Sequence, residues 1–118
     1  MEMMKKVLKS TLLLIFVGSA LYAQTLGDAQ KALDAEQYQN AKSQLKSLIA
    51  LHPTVAENFF YLGQVYLKTD YADSAKAVFN QGITVNPAFP LNYVGLGQVD
   101  LDDNQEEIGK STRLNSSH

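Results

Sequence analysis

The sequence predicts an all-α chain of antiparallel helix pairs, and three observations carry that prediction. The tetrapeptide LGQV occurs at Leu62–Val65 and again at Leu96–Val99, 34 residues further on. The same shift superimposes Gln30, Gln64 and Gln98; Leu33, Leu67 and Leu101; Ala41–Lys42 on Ala75–Lys76; Ile49 on Ile83; Pro53 on Pro87; and Asn58 on Asn92. Internal self-similarity at such a period is the mark of a repeat architecture. Within one period, Val55, Phe59, Leu62 and Tyr66 recur at three- and four-residue spacing, which lines them up along one stripe of a helix. Cap and turn residues then divide each period into two helices.

Ahead of the repeats stand Lys5, Lys6 and Lys9, an apolar run centred on Leu12 to Val17, and the small residues Gly18, Ser19, Ala20 and Ala23. This is the order of a secretory signal peptide over residues 1–23, in which the charges stay on the cytoplasmic side while a short apolar run inserts. A spanning helix needs about 20 apolar residues. The run from Thr11 to Ala23 is shorter and is interrupted by Gly18 and Ser19, so cleavage after Ala23 is expected, with Leu21 the weakest position of the match. The mature chain, beginning at Gln24, would be periplasmic or secreted.

The first helix is predicted from Thr25 to Glu36 and the second from Gln39 to Leu51. Thr54 with Glu57 has the spacing of a capping box, a hydroxyl and a carboxylate satisfying each other's end of the helix start, and places the third helix from about Val55. Gly63 lies inside that helix although glycine costs about 1 kcal/mol there relative to alanine, which makes sense where a paired helix must come close. Asp70 and Asp73 are expected to cap and charge the fourth helix, whose stripe is Ala75, Val78, Phe79 and Ile83 and which Pro87 ends. Pro90 suits the first position of a fifth helix, expected to reach Leu101.

Beyond Asn104 the residues QEEIGKSTRLNSSH should supply a sixth helix, with Asn104 as cap and Glu107 three residues on, but Gly109 and the polar run after it give no apolar stripe. KSTRLNSSH resembles the in-frame translation of a sequencing-library adapter. Residues 107–118 are therefore expected to be a non-native tail, and the natural protein to continue with further helices.

Period and residue types together resemble the tetratricopeptide repeat, whose pattern runs from an aromatic through Leu-Gly and Tyr to Ala, Phe and a closing Pro. The central unit, residues 56–89, matches it at Phe59, Leu62, Gly63, Tyr66, Ala75, Phe79 and Pro87. The first unit, residues 22–55, keeps Ala41 and Pro53 with Leu45 at the large position, but has Asp28, Ala29 and Ala32 where Leu, Gly and Tyr belong. The third, residues 90–106, keeps Tyr93, Leu96 and Gly97, has Asp100 in place of Tyr, and is incomplete. The resemblance implies a short right-handed solenoid of about two and a half repeats over residues 24–106.

Chemistry is sparse. With no cysteine, the chain has no disulfide, thiolate metal site, cysteine nucleophile or lipoprotein anchor. His52, beside Pro53 in a repeat-closing turn, and His118 in the tail lack catalytic partners. GxSxG, GxxxxGK and HExxH are absent. Asp100, Asp102 and Asn104 match the first side-chain ligands of a calcium loop, but Gln105 and Ser111 stand where glycine and glutamate are required, so the segment reads as a solvated acidic helix end. The mature chain has seven basic and eleven acidic residues, net −4, with no basic cluster, which argues against nucleic acid. No enzyme activity, cofactor or metal is expected.

What remains is a surface. In tetratricopeptide proteins the first helix of each pair lines a concave groove, and the inward positions carried over by resemblance are Leu26, Gln30, Leu33 and Asp34 in the first unit. The second unit gives Glu57, Phe60, Gln64, Leu67 and Lys68, and the third Leu91, Val94, Gln98, Leu101 and Asp102. A row of glutamines can hydrogen-bond an extended peptide backbone while leucines and Phe60 hold its apolar side chains; alternatively these leucines pack between repeats. Phe60 and Gln64 stand where the carboxylate clamp of chaperone-binding members needs Lys and Asn, so that clamp is not expected. The function implied is an exported scaffold that binds a protein or peptide without catalysis. One alternative is the N-terminal recruiting module of a longer enzyme or envelope-assembly protein. A second is self-association through the incomplete last repeat, which exposes Tyr93 and Leu96.

Overall fold

The computed structural model describes residues 25–116, with side chains described through Thr112. The expected signal peptide lies outside the described residues. Those residues form an all-α fold of five helices: α1 (Leu26–Asp34), α2 (Tyr38–Leu51), α3 (Ala56–Lys68), α4 (Ala72–Val85) and α5 (Leu91–Ser116). Each helix packs against the next; in addition α1 touches α3 and α3 touches α5. The connections are three to five residues long, which folds consecutive helices back on one another. The odd-numbered helices thus make one row, with α2 and α4 laid over its seams.

The 34-residue period seen in the sequence is also a period of backbone geometry. Helices α2 and α4 have the same length, 14 residues, and begin at Tyr38 and Ala72. The turns before them match bond for bond: the Gln37 N–H donates to the Ala32 carbonyl at 2.8 Å, and the Tyr71 N–H to the Tyr66 carbonyl at 2.8 Å. Both turns pass through a left-handed residue, Glu36 at φ 59° and Asp70 at φ 65°. This is the conformation that closes a helix by returning the chain toward its last carbonyls, and glycine is its usual occupant. Pro53 and Pro87 each follow the C-cap of a second helix, His52 and Asn86, where continuation of the helix is no longer required.

Several local expectations give way. The N-cap of α3 is Val55 and carries no side-chain hydrogen bond, so the Thr54–Glu57 box does not form. A carboxylate of that kind acts instead at α1, where the Thr25 N–H donates to Asp28 Oδ2 at 3.2 Å. Asp70 does not cap α4; it is the left-handed residue of the α3–α4 turn, and Tyr71 takes the N-cap position. Pro90 precedes α5, its carbonyl accepting from the Tyr93 N–H at 3.2 Å. The largest difference is at the far end. Helix α5 does not stop at Leu101 but runs unbroken for 26 residues, because Asn104, one period after Asp70, stays helical.

Two apolar clusters hold the array. The first joins α1 to α4 through Ala29, Ala41, Leu45, Phe59, Leu62 and Val65. The second joins α4 to α5 through Ala75, Phe79 and Val99. Periodicity is kept here too: Ala41 and Ala75, and Leu45 and Phe79, are all fully buried. The small alanines let the helices approach, and the large side chain four residues on fills the space beside them. Phe79 lies between two glycines, because a Cβ on either Gly63 of α3 or Gly95 of α5 would overlap its ring. Truncating such a ring to alanine costs about 3–5 kcal/mol.

Candidate functional site

The face where α3 meets α5 brings six of the sequence-selected groove residues together: Gln64, Leu67, Lys68, Gln98, Leu101 and Asp102. Gln64, Leu67 and Lys68 sit on the last two turns of α3, and Gln98 on the second turn of α5. With Leu101, Asp102 and Gln105 they line a depression of about 330 Å³. The two glutamines are joined across the helices: Gln64 Nε2 donates to Gln98 Oε1 at 2.7 Å. This bond occupies one donor of Gln64 and one acceptor site of Gln98, out of two donors and two acceptor sites on each amide. A second, larger depression of about 850 Å³ continues from it, since Leu67 and Asp102 line both. Its remaining wall is acidic at Asp70, Asp103 and Glu106, with Lys110 at the edge. The result is a trough with an apolar floor at Leu67, two amides at one end, and carboxylates at the other.

The other selected residues are placed differently. Leu26 and Leu33 are half-buried and pack on the first apolar cluster, and Phe60 and Leu67 on the second. The Phe60 ring lies 6.1 Å from that of Phe79 and 5.1 Å, edge-on, from that of Tyr61. For Leu26, Leu33 and Phe60, packing between helices is therefore what the side chains do, while Leu67 both packs and floors the trough. Gln30 is half-buried on α1, Lys68 is exposed beside the depression, and Val94 is 51% exposed on α5.

Among the packing residues, Phe59, Leu62, Gly63, Ala75, Phe79 and Ala41 are buried and Tyr66 and Leu96 half-buried, while Pro53 and Pro87 are exposed in turns. Gly97 departs from its expected role. A Cβ there would meet nothing within 4 Å, and the close approach falls to Gly95 instead. The reason is geometric: the helix that packs at Gly63 is α4, which follows a turn, and no turn follows α5 at the corresponding place.

A polar core residue emerges that sequence reasoning aligned without assigning a role. Asn92 is fully buried, and its Nδ2 donates to the Ala56 carbonyl at 3.1 Å, tying the start of α5 to the start of α3. Its Oδ1 has no partner, and the amide fills the space above Gly82, where a Cβ would overlap it. The signal was available: a polar residue repeated at Asn58 and Asn92, both buried.

Among the described residues, no group of His, Cys, Asp or Glu side chains is arranged to hold a metal ion, and no helix is long and apolar enough to cross a membrane. No protein-family model matches the sequence, and no curated protein matches it.

Proposed function

We propose that the chain is an exported, non-catalytic helical-repeat scaffold of the tetratricopeptide type, which holds an extended protein segment in the trough between α3 and α5. The observation that carries this reading is the pair Gln64 and Gln98, one period apart and hydrogen-bonded on the wall of a depression floored by Leu67. Amides in register with a helical repeat offer alternating donors and acceptors to a peptide backbone, and the leucines beside them take its apolar side chains. Export rests on the order of charge, apolar run and small residues at the N-terminus.

The test is to pan the purified mature chain against a displayed library of random peptides. Selected peptides should lose at least tenfold in affinity when Gln64→Ala and Gln98→Ala are combined. Peptides that bind the double variant as tightly as the parent would remove the trough from the account. Mass spectrometry of the chain from the envelope fraction should find Gln24 as its first residue, and recovery of the uncleaved chain would count against export by a signal peptide.

A further inference from the structure

Three rows of side chains cross the trough at the repeat period. Gln64 and Gln98 form one, Leu67 and Leu101 the second, and Lys68 and Asp102 the third, and all six line the same depression. The two amides touch at 2.7 Å, and each charge stands four residues on, one turn further along its own helix. The ammonium of α3 and the carboxylate of α5 therefore stand on facing walls, and both residues are exposed. The row begins one period earlier with Asp34, exposed at the end of α1, so its sign alternates from helix to helix as minus, plus, minus. The other two rows repeat one residue type, Gln at 30, 64 and 98 and Leu at 33, 67 and 101. Further helix pairs would lengthen these rows without covering them, because α4, which follows α3, packs on its Gly63 side and leaves Lys68 open.

Resting on the reading of the trough as a peptide groove, we propose that its occupant is an extended segment of mixed charge. An acidic side chain is set against Lys68, a basic one against Asp102, and an apolar one is seated on Leu67. Spacing fits this occupant. Neighbouring packed helices lie about 8–10 Å apart, and two or three residues of an extended strand span about 7–10 Å. A segment crossing from α3 to α5 therefore meets the second charge two or three residues after the first, and its backbone is left to the Gln64 and Gln98 amides. Charge disfavours the simpler occupants. A purely acidic segment is repelled at Asp102 and a purely basic one at Lys68, so each loses on one wall what it gains on the other. Where the segment continues over α1, Asp34 favours a second basic side chain on the far side of the acidic one. The preference needs no residue beyond Asp102.

The displayed library of random peptides is selected in parallel on the mature chain, on Lys68→Glu and on Asp102→Lys, and enriched peptides are titrated by fluorescence anisotropy. Peptides enriched on the parent are expected to pair an acidic with a basic side chain two or three residues apart, beside an apolar one. Those enriched on Lys68→Glu should carry a basic residue in place of the acidic one, and those on Asp102→Lys an acidic residue in place of the basic one. A parent-selected peptide should lose affinity severalfold on Lys68→Glu and regain it when its own acidic residue is replaced by lysine, both effects being smaller at high salt. Circular dichroism establishes that each variant remains helical, and two charge variants keep the test decisive if one of them unfolds. Peptides that need Gln64 and Gln98 but show no charge preference, or bind both charge variants like the parent, would overturn this inference and leave the trough reading standing. A library that yields no enriched peptide, or only peptides indifferent to Gln64→Ala with Gln98→Ala, would remove both. A loss of stability in each charge variant that Lys68→Asp with Asp102→Lys restores would also overturn the proposal, since the two charges would then be paired with each other.

Discussion

Gln64 and Gln98 occupy the same phase of successive repeats and are joined directly, Nε2 to Oε1, at 2.7 Å. A hydrogen bond between half-exposed and exposed amides exchanges one set of partners for water, so its net contribution is at most about 1 kcal/mol. Gln98→Ala is expected to change the free energy of unfolding by less than about 1 kcal/mol, measured by urea denaturation. A loss several times larger would mean that the pair holds α3 to α5 rather than lining a surface.

The two aligned glycines Gly63 and Gly97 should respond in opposite senses. Gly63→Ala drives a methyl group into the Phe79 ring, and overpacking of this kind costs about 1–3 kcal/mol. Gly97→Ala meets open space and gains helix propensity, up to about 1 kcal/mol of stabilisation. Paired denaturation curves of the two variants check this, and equal effects would contradict the packing described for α4.

Glu36 and Asp70 hold a left-handed backbone at φ 59° and 65°. A side chain in that region costs about 1–2 kcal/mol relative to glycine, less for aspartate than for glutamate. Glu36→Gly should therefore raise the melting temperature, and Asp70→Gly should do so by a smaller margin. A fall in both would show that the carboxylates stabilise their turns by some contact of their own.

Asn92 and Gly82 should couple. Asn92→Ala leaves the tie to the Ala56 carbonyl unmade, at a cost of about 1–3 kcal/mol, and Gly82→Ala alone collides with the amide. In the double variant the new methyl group occupies space the amide has vacated, so the loss should be smaller than the sum of the two singles. A double-mutant cycle measures the difference, and strict additivity would show that the two residues do not share that space.

Most of the architecture was legible because burial is periodic. A shift of 34 residues superimposed Ala41 on Ala75, and the structure buries both completely. Helix ends were less legible, because Thr54 and Asp70 have the chemistry of caps but stand at positions that the turn geometry assigns to other roles. Gly95 and Gly97 show the same limit within a helix. Both are glycines two residues apart, and only the arrival of α4 on one side decides which of them is packed. Of the trough, the Gln and Leu rows could be aligned from the sequence. That Phe60 turns toward Phe79 instead depended on a ring contact between helices, which spacing alone does not encode.

Phe79 is a single ring on α4 seated against the backbones of α3 and α5, so it belongs energetically to two neighbouring repeats at once. In an array whose stability is a sum over nearest-neighbour contacts, such a shared residue sets the size of the cooperative unit. Helices α3, α4 and α5 should open together, with amide protons that exchange at a common rate, while α1, which packs only on α2 and α3 among the described helices, frays on its own.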